Sequence, residues 1–439
     1  MPERDHERAS GGRATKKRII IVAATAVGVT IAAGLLALNL QEGEKQIEET
    51  VQRLYSAEDP QFGRVLGAML GPAILPGNRF DVLVNGDEIF PAMLAAIREA
   101  RKTITFETYI YWSGAIGAEF AEALSERARA GVKVHVLLDW LGSSKLDPAQ
   151  LRLMEDAGVG VRKFHEPIWY HLDRMNNRTH RKLLVVDGKV GFTGGVGIAD
   201  AWAGHAQDPD HWRDTHFRAE GPVVAQMQAV FMDNWIKVTG EVLHGVDYFP
   251  PLPSRGDSAG QMFSSSPQGG SESMQLMYLL AITAAARSID LSSAYFVPDD
   301  LSRKALAAAA RRGVRVRIIT PGEHMDAATV RRASRARWGA LLEAGVQIFE
   351  YQPTMYHCKV MIVDGIWVSV GSTNFDRRSF SLNDEANLNI FDAAFAGRQV
   401  AIFDADIARS RAITLSAWRQ RPFVEKIVEH SAALLRLQL

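Results

Sequence analysis

The chain has 439 residues, with 50 basic and 50 acidic side chains and a formal net charge of zero. That length allows about two to four domains, and a 47% hydrophobic fraction excludes wholesale disorder. Balanced charge argues against a dedicated nucleic-acid binder, and a single cysteine, Cys358, excludes a disulfide framework and any Cys-rich zinc site.

Residues 1–18 are polar and rich in Gly and Arg, which predicts a disordered tail. Residues 19–40 read IIIVAATAVGVTIAAGLLALNL, with only Thr25, Thr30 and Asn39 interrupting the apolar run. At 1.5 Å per residue this run spans about 33 Å as a helix, close to the hydrocarbon thickness of a bilayer. A cleaved signal peptide would have a shorter apolar region and a small-x-small site, and Leu38–Gln41 is a poor one. One transmembrane helix is therefore expected over 19–40. Arg13, Lys16, Lys17 and Arg18 precede it, whereas Glu42, Glu44, Glu48 and Glu49 follow. The positive-inside bias keeps the tail in the cytoplasm and sends the rest across. Residues 44–55 read as a short polar helix leaving the membrane.

Beyond it the sequence repeats with a period near 180 residues. The segment MLAAIREARKTITFETYIY (93–111) parallels LLAITAAARSIDLSSAYFV (279–297). RARAGVKVHVLLD (127–139) parallels AARRGVRVRIITP (309–321), EDAGVGVRKF (155–164) parallels LEAGVQIFEY (342–351), and HRKLLVVDG (180–188) parallels HCKVMIVDG (357–365). Each unit is helical periodicity, a Gly stop, then a short β-branched strand. Such alternation predicts an α/β fold with a largely covered sheet. The pattern breaks at YFPPLPSRGDSAGQ (248–261). Two similar lobes are expected, 77–245 and 259–430, joined by a linker at 246–258. Duplicated lobes can set equivalent residues face to face across a pseudo-two-fold.

The last repeated unit carries the chemistry. His180, Lys182 and Asp187 have the spacing HxKxxxxD, and so do His357, Lys359 and Asp364. Roughly 0.02 matches are expected by chance, so two at equivalent places are no accident. In an extended chain, residues two apart share a face. His and Lys therefore point together, and Arg181 and Cys358 point away. A lysine beside each histidine repels a metal ion. The cationic pair suits a phosphate: lysine neutralises its oxygens, while histidine serves as nucleophile or general acid. Asp187 and Asp364, at strand ends, are read as braces of the turn.

Both halves resemble the phospholipase D superfamily, whose signature is two HxKxxxxD motifs. NNRTHRKLLVVDGKVGFTGG (176–195), WRDTHFRAEGP (212–222), AYFVPDD (294–300) and GSTNFDRRSFSLNDEANL (371–388) make the chain similar to bacterial cardiolipin synthases. The resemblance covers about residues 77–430. It implies two lobes of mixed β-sheet flanked by helices, a phosphohistidine on one histidine (His180 by analogy) and protonation of the leaving alcohol by the other. It implies that an acidic residue downstream of each motif orients its histidine, by position Asp214 and Glu385. Asn374 and Ser372 become phosphate-binding residues, with no metal and no cofactor. In the first half Gly197 and Gly195 stand at the places of Asn374 and Ser372, which breaks the symmetry.

The resemblance further implies phosphatidylglycerol as donor and acceptor, cardiolipin and glycerol as products, and a membrane partner rather than nucleic acid. With the anchor it implies a bacterial inner membrane, spanned once, with the catalytic part extracytoplasmic. The alternatives are a phospholipase D that transfers to water, a nuclease of the same fold and a silent lipid-binding protein. The sequence carries no statement on oligomeric state. His165, His171, His205, His211 and His216 read as surface or structural residues, and Trp169, Tyr170, Trp202 and Trp212 as core packing, with a lipid-facing rim as the alternative. RRASRARW (331–338) reads as a solvated basic helix face, with contact to anionic lipid head groups as the alternative. Glu107, Tyr109, Tyr295 and Asp326 fall near the motif strands without a role that spacing defines.

Overall fold

The computed structural model describes residues 18–19, 21–30, 33–34, 47, 49–166, 177–267 and 273–433. Residues 1–45 with 167–176 form one unit, of which residues 21–30 are helical. In that helix the Thr25 and Thr30 hydroxyls donate to the Ile21 and Ala26 carbonyls, which hides both polar groups within the apolar run. No helix among the described residues is long and apolar enough to cross a membrane, and the run 19–40 lies partly outside them.

Residues 46–166 and 177–439 form the other unit. The described residues from 49 to 56 are not helical, contrary to the helix read over 44–55. Val51 and Tyr55 instead pack on a core cluster with Phe62 and Trp367, and that burial overrides local helix propensity.

The first half of this unit contributes β1 (Leu75–Val84), β2 (Thr103–Thr108), β3 (Lys133–Asp139), β4 (Gly160–Phe164), β5 (Leu183–Val186), β6 (Val190–Gly194) and β7 (Thr215–Glu220). The second contributes β8 (Ser258–Ser265), β9 (Ser288–Ser293), β10 (Arg315–Pro321), β11 (Gln347–Tyr351), β12 (Lys359–Val363), β13 (Trp367–Gly371), β14 (Asn383–Phe391) and β15 (Ser410–Ile413). All join one mixed sheet, ordered β15-β11-β10-β9-β12-β13-β14-β8-β1-β7-β6-β5-β2-β3-β4. Outward from the centre each half has the same order, with β15 added at the edge of the second half only. The halves meet where β1 and β8 pair antiparallel, with Leu75 opposite Gly260 and Asn78 opposite Ser258.

Within each half the strands that follow helices pair in parallel, β2 with β3 and β9 with β10. The motif strands enter antiparallel, β5 beside β2 and β12 beside β9. Helices α1 (Pro60–Leu70), α2 (Asn85–Glu99), α3 (Ala115–Arg129), α4 (Pro148–Asp156), α5 (Val223–Thr239), α6 (Met274–Ala284), α7 (Asp300–Arg311), α8 (Ala328–Ala336) and α9 (Ala393–Ala408) surround the sheet. Strands such as β2, β12 and β13 are buried at every position, as expected of a sheet covered on both faces.

Asp187 and Asp364 brace turns in the same way. Asp187 accepts from the Arg101, Lys102 and Thr103 amides, and Asp364 from those of Ala286, Arg287 and Ser288. Both residues sit at left-handed φ, 52° and 55°. Each carboxylate ties the turn after a motif strand to the start of the neighbouring strand.

Candidate active site

His180 lies in extended chain three residues before β5 begins, and His357 lies two residues before β12 begins. Neither imidazole is oriented from its own half. His180 Nδ1 lies 3.0 Å from both carboxylate oxygens of Glu385, on β14. His357 Nδ1 lies 2.7 Å from Asp214 Oδ2, beside β7. The backbone repeats the exchange: His180 N–H donates to Asp384 O, and His357 N–H to Arg213 O. The expectation that each acid orients the histidine of its own motif is thus corrected. Because the two central strands are joined edge to edge, the nearest carboxylate to each motif belongs to the other half.

The two carboxylates are held differently. Glu385 also accepts from the Ser372 hydroxyl, and Ser372 Oγ in turn accepts from the Ala386 amide. Ser372 is fully buried behind the acid and does not line the cavity, so its expected phosphate contact is corrected to a positioning role. Asp214 accepts instead from the Trp202 indole at 3.0 Å and from the Thr215 amide at 2.8 Å. This explains the two glycines of the first half. A Cβ on Gly195 would stand 2.4 Å from Asp214 Oδ1, and one on Gly197 would stand 2.6 Å from Ile110 Cβ and 3.1 Å from Trp202 Cζ3. The Asp214 carboxylate itself, and Ile110 with the Trp202 indole, occupy the room that a serine and an asparagine side chain would need.

Both histidines line one cavity of about 310 Å³. Tyr109, Trp202, Trp212 and Tyr295 form walls, with the Tyr109 ring 5.2 Å from His180 and the Trp212 ring 5.4 Å from His357. Trp202 is thus a core residue, as read, with Trp212 packed against the same cluster, and both also wall the cavity. Asn374 also faces the cavity, and its Oδ1 has no hydrogen-bond partner among the described residues. Lys182 Nζ donates to His180 O, and Lys359 Nζ to His357 O. Lys359 Nζ lies 3.1 and 3.2 Å from the two ring nitrogens of His357, so it rests against the ring.

Electrostatics set the resting state. Burial is the main cause that pushes the His180 imidazole down to about 4, partly opposed by Glu385. Burial and the Lys359 ammonium push His357 down to about 3, against the pull of Asp214. Burial brings Lys182 down to about 7 and also lowers Lys359. For Glu385 and Asp214 burial alone would raise the carboxyl, yet the partnered histidine and nearby lysine outweigh it and hold both below the usual range. The site thus holds neutral imidazoles over ionised carboxylates. In each ring Nδ1–H donates to the carboxylate, which leaves the lone pair on Nε2.

Arg178, Arg378, Asp326 and Asp376 also line the cavity and were not singled out as site residues. Arg178 stands two residues before His180, outside the HxKxxxxD spacing, and Met355 stands at the corresponding place before His357. Asp376 caps the short helix that follows it, accepting from the Ser379 amide, and burial pushes it up to about 7. Tyr295 donates to Asp326 at 2.7 Å. Glu107 lies behind the motif, fully buried, accepting from Thr179 and Asn234. Arg181 and Cys358 point away from the cavity, as alternation required. Arg181 reaches Val230 O and Asp233, and Cys358 packs in the core. Among the described residues no group of three or more His, Cys, Asp or Glu is arranged to hold a metal ion.

Residues 93–231 and 278–407 match the family described as cardiolipin synthase, PLD-like domain. A cardiolipin synthase of Geobacillus kaustophilus is 37% identical over 358 residues, 81% of this chain and 71% of that protein. One from Alkalihalophilus pseudofirmus is 34% identical over 399 residues, 90% of this chain and 79% of the relative. Among solved structures, the phosphatidylserine synthase of Haemophilus influenzae superposes with a TM-score of 0.66 at 14% identity, over 86% of this chain and 100% of that one. That likeness is one of fold.

Proposed function

This chain belongs to the cardiolipin synthase, PLD-like domain family and is a phosphatidyltransferase of the phospholipase D superfamily; we propose that it joins two phosphatidylglycerol molecules into cardiolipin and glycerol through a phosphohistidine. The observation that carries this reading is the pair of imidazoles on one cavity, each with a carboxylate on Nδ1.

His180 Nε2 attacks phosphorus, and the bond from phosphorus to the departing glycerol oxygen breaks. His357 Nε2–H gives its proton to that oxygen, and glycerol leaves. The terminal hydroxyl of a second phosphatidylglycerol then attacks the phosphatidyl-histidine. His357 takes the hydroxyl proton, the phosphorus–nitrogen bond breaks and cardiolipin departs. Lys182 and Lys359 offset the charge on the phosphoryl oxygens, and Asn374 donates an amide hydrogen bond to one of them. Attack by His180 is supported by its Nε2, which makes no hydrogen bond among the described residues, whereas Lys359 rests against the His357 ring. A bound phosphodiester brings the negative charge that lets His357 hold its proton.

Transfer and hydrolysis share the first step. A transferase must keep water from the phosphohistidine and present an alcohol in line. The aromatic walls favour exclusion of water. The run 19–40 anchors the chain, supported by its length and its basic flank, and thereby raises the local concentration of lipid alcohol. The test is the product ratio of the purified full chain in phosphatidylglycerol vesicles. Cardiolipin with free glycerol and little phosphatidic acid is expected, with or without a chelator. Dominant phosphatidic acid would move the assignment to a hydrolase, and DNA cleavage with neither lipid product would move it to a nuclease.

A further inference from the structure

Helix α10 (Phe423–Ala433) is built inside out. Phe423, Val424, Ile427 and Val428 are 77%, 70%, 50% and 39% exposed. At about 100° per residue they cover one arc of the helix, roughly 140° wide. Its acidic residues face the protein instead. Arg335 of α8 lies 2.9 Å from both Glu425 and Glu429, and Arg421 lies 2.8 Å from Glu429. A helix that meets only water carries the opposite pattern.

The position of α10 ties it to the reaction. Ala432 packs in a small apolar cluster with Val297, Val330 and Ala333, and Tyr295 packs against that cluster. Val330 and Tyr295 also line the catalytic cavity. Through Ala432 the inner side of α10 therefore packs on α8, whose Val330 also walls the cavity, while its apolar face points outward. Within the basic run 331–338, Arg335 holds this helix, whereas Arg331 and Arg337 pair elsewhere, Arg337 with Asp300. Arg331 lies 2.7 Å from the buried Glu350, and Arg335 pairs with α10.

We propose that the apolar face of α10 inserts among the lipids of the bilayer that carries the substrate, so that the catalytic mouth opens onto the membrane surface. This rests on the reading that the substrate is a bilayer phospholipid. A cavity of about 310 Å³ takes a headgroup, and the acyl chains stay outside it in apolar surroundings. Helix α10, tied to the cavity wall through Ala432 and Val330, supplies continuity with those surroundings. A second copy of the chain is a poorer occupant, because four side chains fall far short of the ~800 Å² per partner of a stable protein interface.

The test uses the full chain in vesicles of phosphatidylglycerol and phosphatidylcholine. An environment-sensitive probe is placed on Ile427→Cys and, for reference, on Glu122→Cys at the exposed surface of α3, since native Cys358 is buried. A lipid-borne quencher should quench the probe at 427 several-fold more than that at 122. The double variant Val424→Glu, Ile427→Glu should lose about tenfold or more of its turnover on vesicles. It should keep its turnover on a short-chain phosphatidylglycerol dissolved as monomers. Equal quenching at both sites, or equal loss on both substrates, would overturn the proposal. So would a probe at 427 that is shielded in lipid-free detergent by a doubled particle mass, which would make a second copy the occupant. If the wild-type chain makes cardiolipin from neither substrate, the functional reading fails while the quenching still judges the helix.

Discussion

His357 Nδ1 lies 2.7 Å from Asp214 Oδ2, a carboxylate 143 residues earlier in the chain and in the other half of the sheet. The reciprocal pair, His180 and Glu385, is separated by 205 residues. Each half thus supplies a histidine that only the other half can orient, and neither half alone builds a competent base or acid.

The crosswise pairing makes a first prediction. Asp214→Asn and Glu385→Gln should each lower turnover by about 10²–10⁴-fold, because the wrong tautomer is then favoured. In histidine-labelled protein, Asp214→Asn should shift the ring signals of His357 and leave those of His180, and Glu385→Gln should do the reverse. Signals that follow the histidine of the same half would refute the pairing.

The division of labour makes a second. With phosphatidylglycerol, His180→Ala and His357→Ala should both be inactive. A 4-nitrophenyl phosphatidyl ester releases an alcohol that needs no proton. On it His357→Ala should still release nitrophenol and trap a phosphorylated His180, while His180→Ala should do neither. The opposite result would exchange the two roles.

Unequal support of the two acids makes a third. Trp202→Phe removes the indole donor from Asp214, and Ser372→Ala removes the hydroxyl donor from Glu385. A hydrogen bond to a charged group contributes about 1.5–3 kcal/mol. Each variant should therefore lower kcat by about one to two orders of magnitude with little change in KM. An effect confined to KM would mean that these residues touch lipid rather than position the acids.

The depressed histidines make a fourth. A histidine in an unfolded chain titrates near 6.5, whereas His180 is held at about 4 and His357 at about 3, burial being the largest cause. Ring signals of both should stay those of neutral imidazole from pH 8 down to about 5. The folded state binds these protons less tightly than the unfolded state. Stability should therefore fall as pH drops from about 6.5 toward 4, and the loss should shrink in His180→Asn. Ring titration at 6.5 in the folded protein would refute it.

The basic flank before residue 19 makes a fifth. A reporter active only outside the cytoplasm, fused after Leu439, should be active. Activity of a cytoplasmic reporter alone would reverse the orientation.

Much of this was legible in the residues. The repeated HxKxxxxD units, the Gly stops and the β-branched runs are local patterns, and local patterns survive in one dimension. They suffice for an α/β fold, for two histidine–lysine pairs and for the turn-bracing role of Asp187 and Asp364. What they leave open is which groups meet. Ser372 and Asn374 stand two residues apart, and spacing treats them alike. Only packing shows Ser372 behind Glu385 and Asn374 on the cavity. Trp202 carried no signal, because an indole that fills a core and one that holds a carboxylate look the same in sequence.

By itself, then, the chain order determined the chemistry on offer: two imidazoles, two ammonium groups and the acids downstream. Tertiary structure decided how they combine. Antiparallel pairing of β1 with β8 sets the two halves edge to edge, and this carries each acid to the other half's histidine. The same closure takes the site out of water, and desolvation then moves both imidazoles to their neutral form. Partner choice and desolvation depend on distances across the sheet, and no spacing along the chain encodes them.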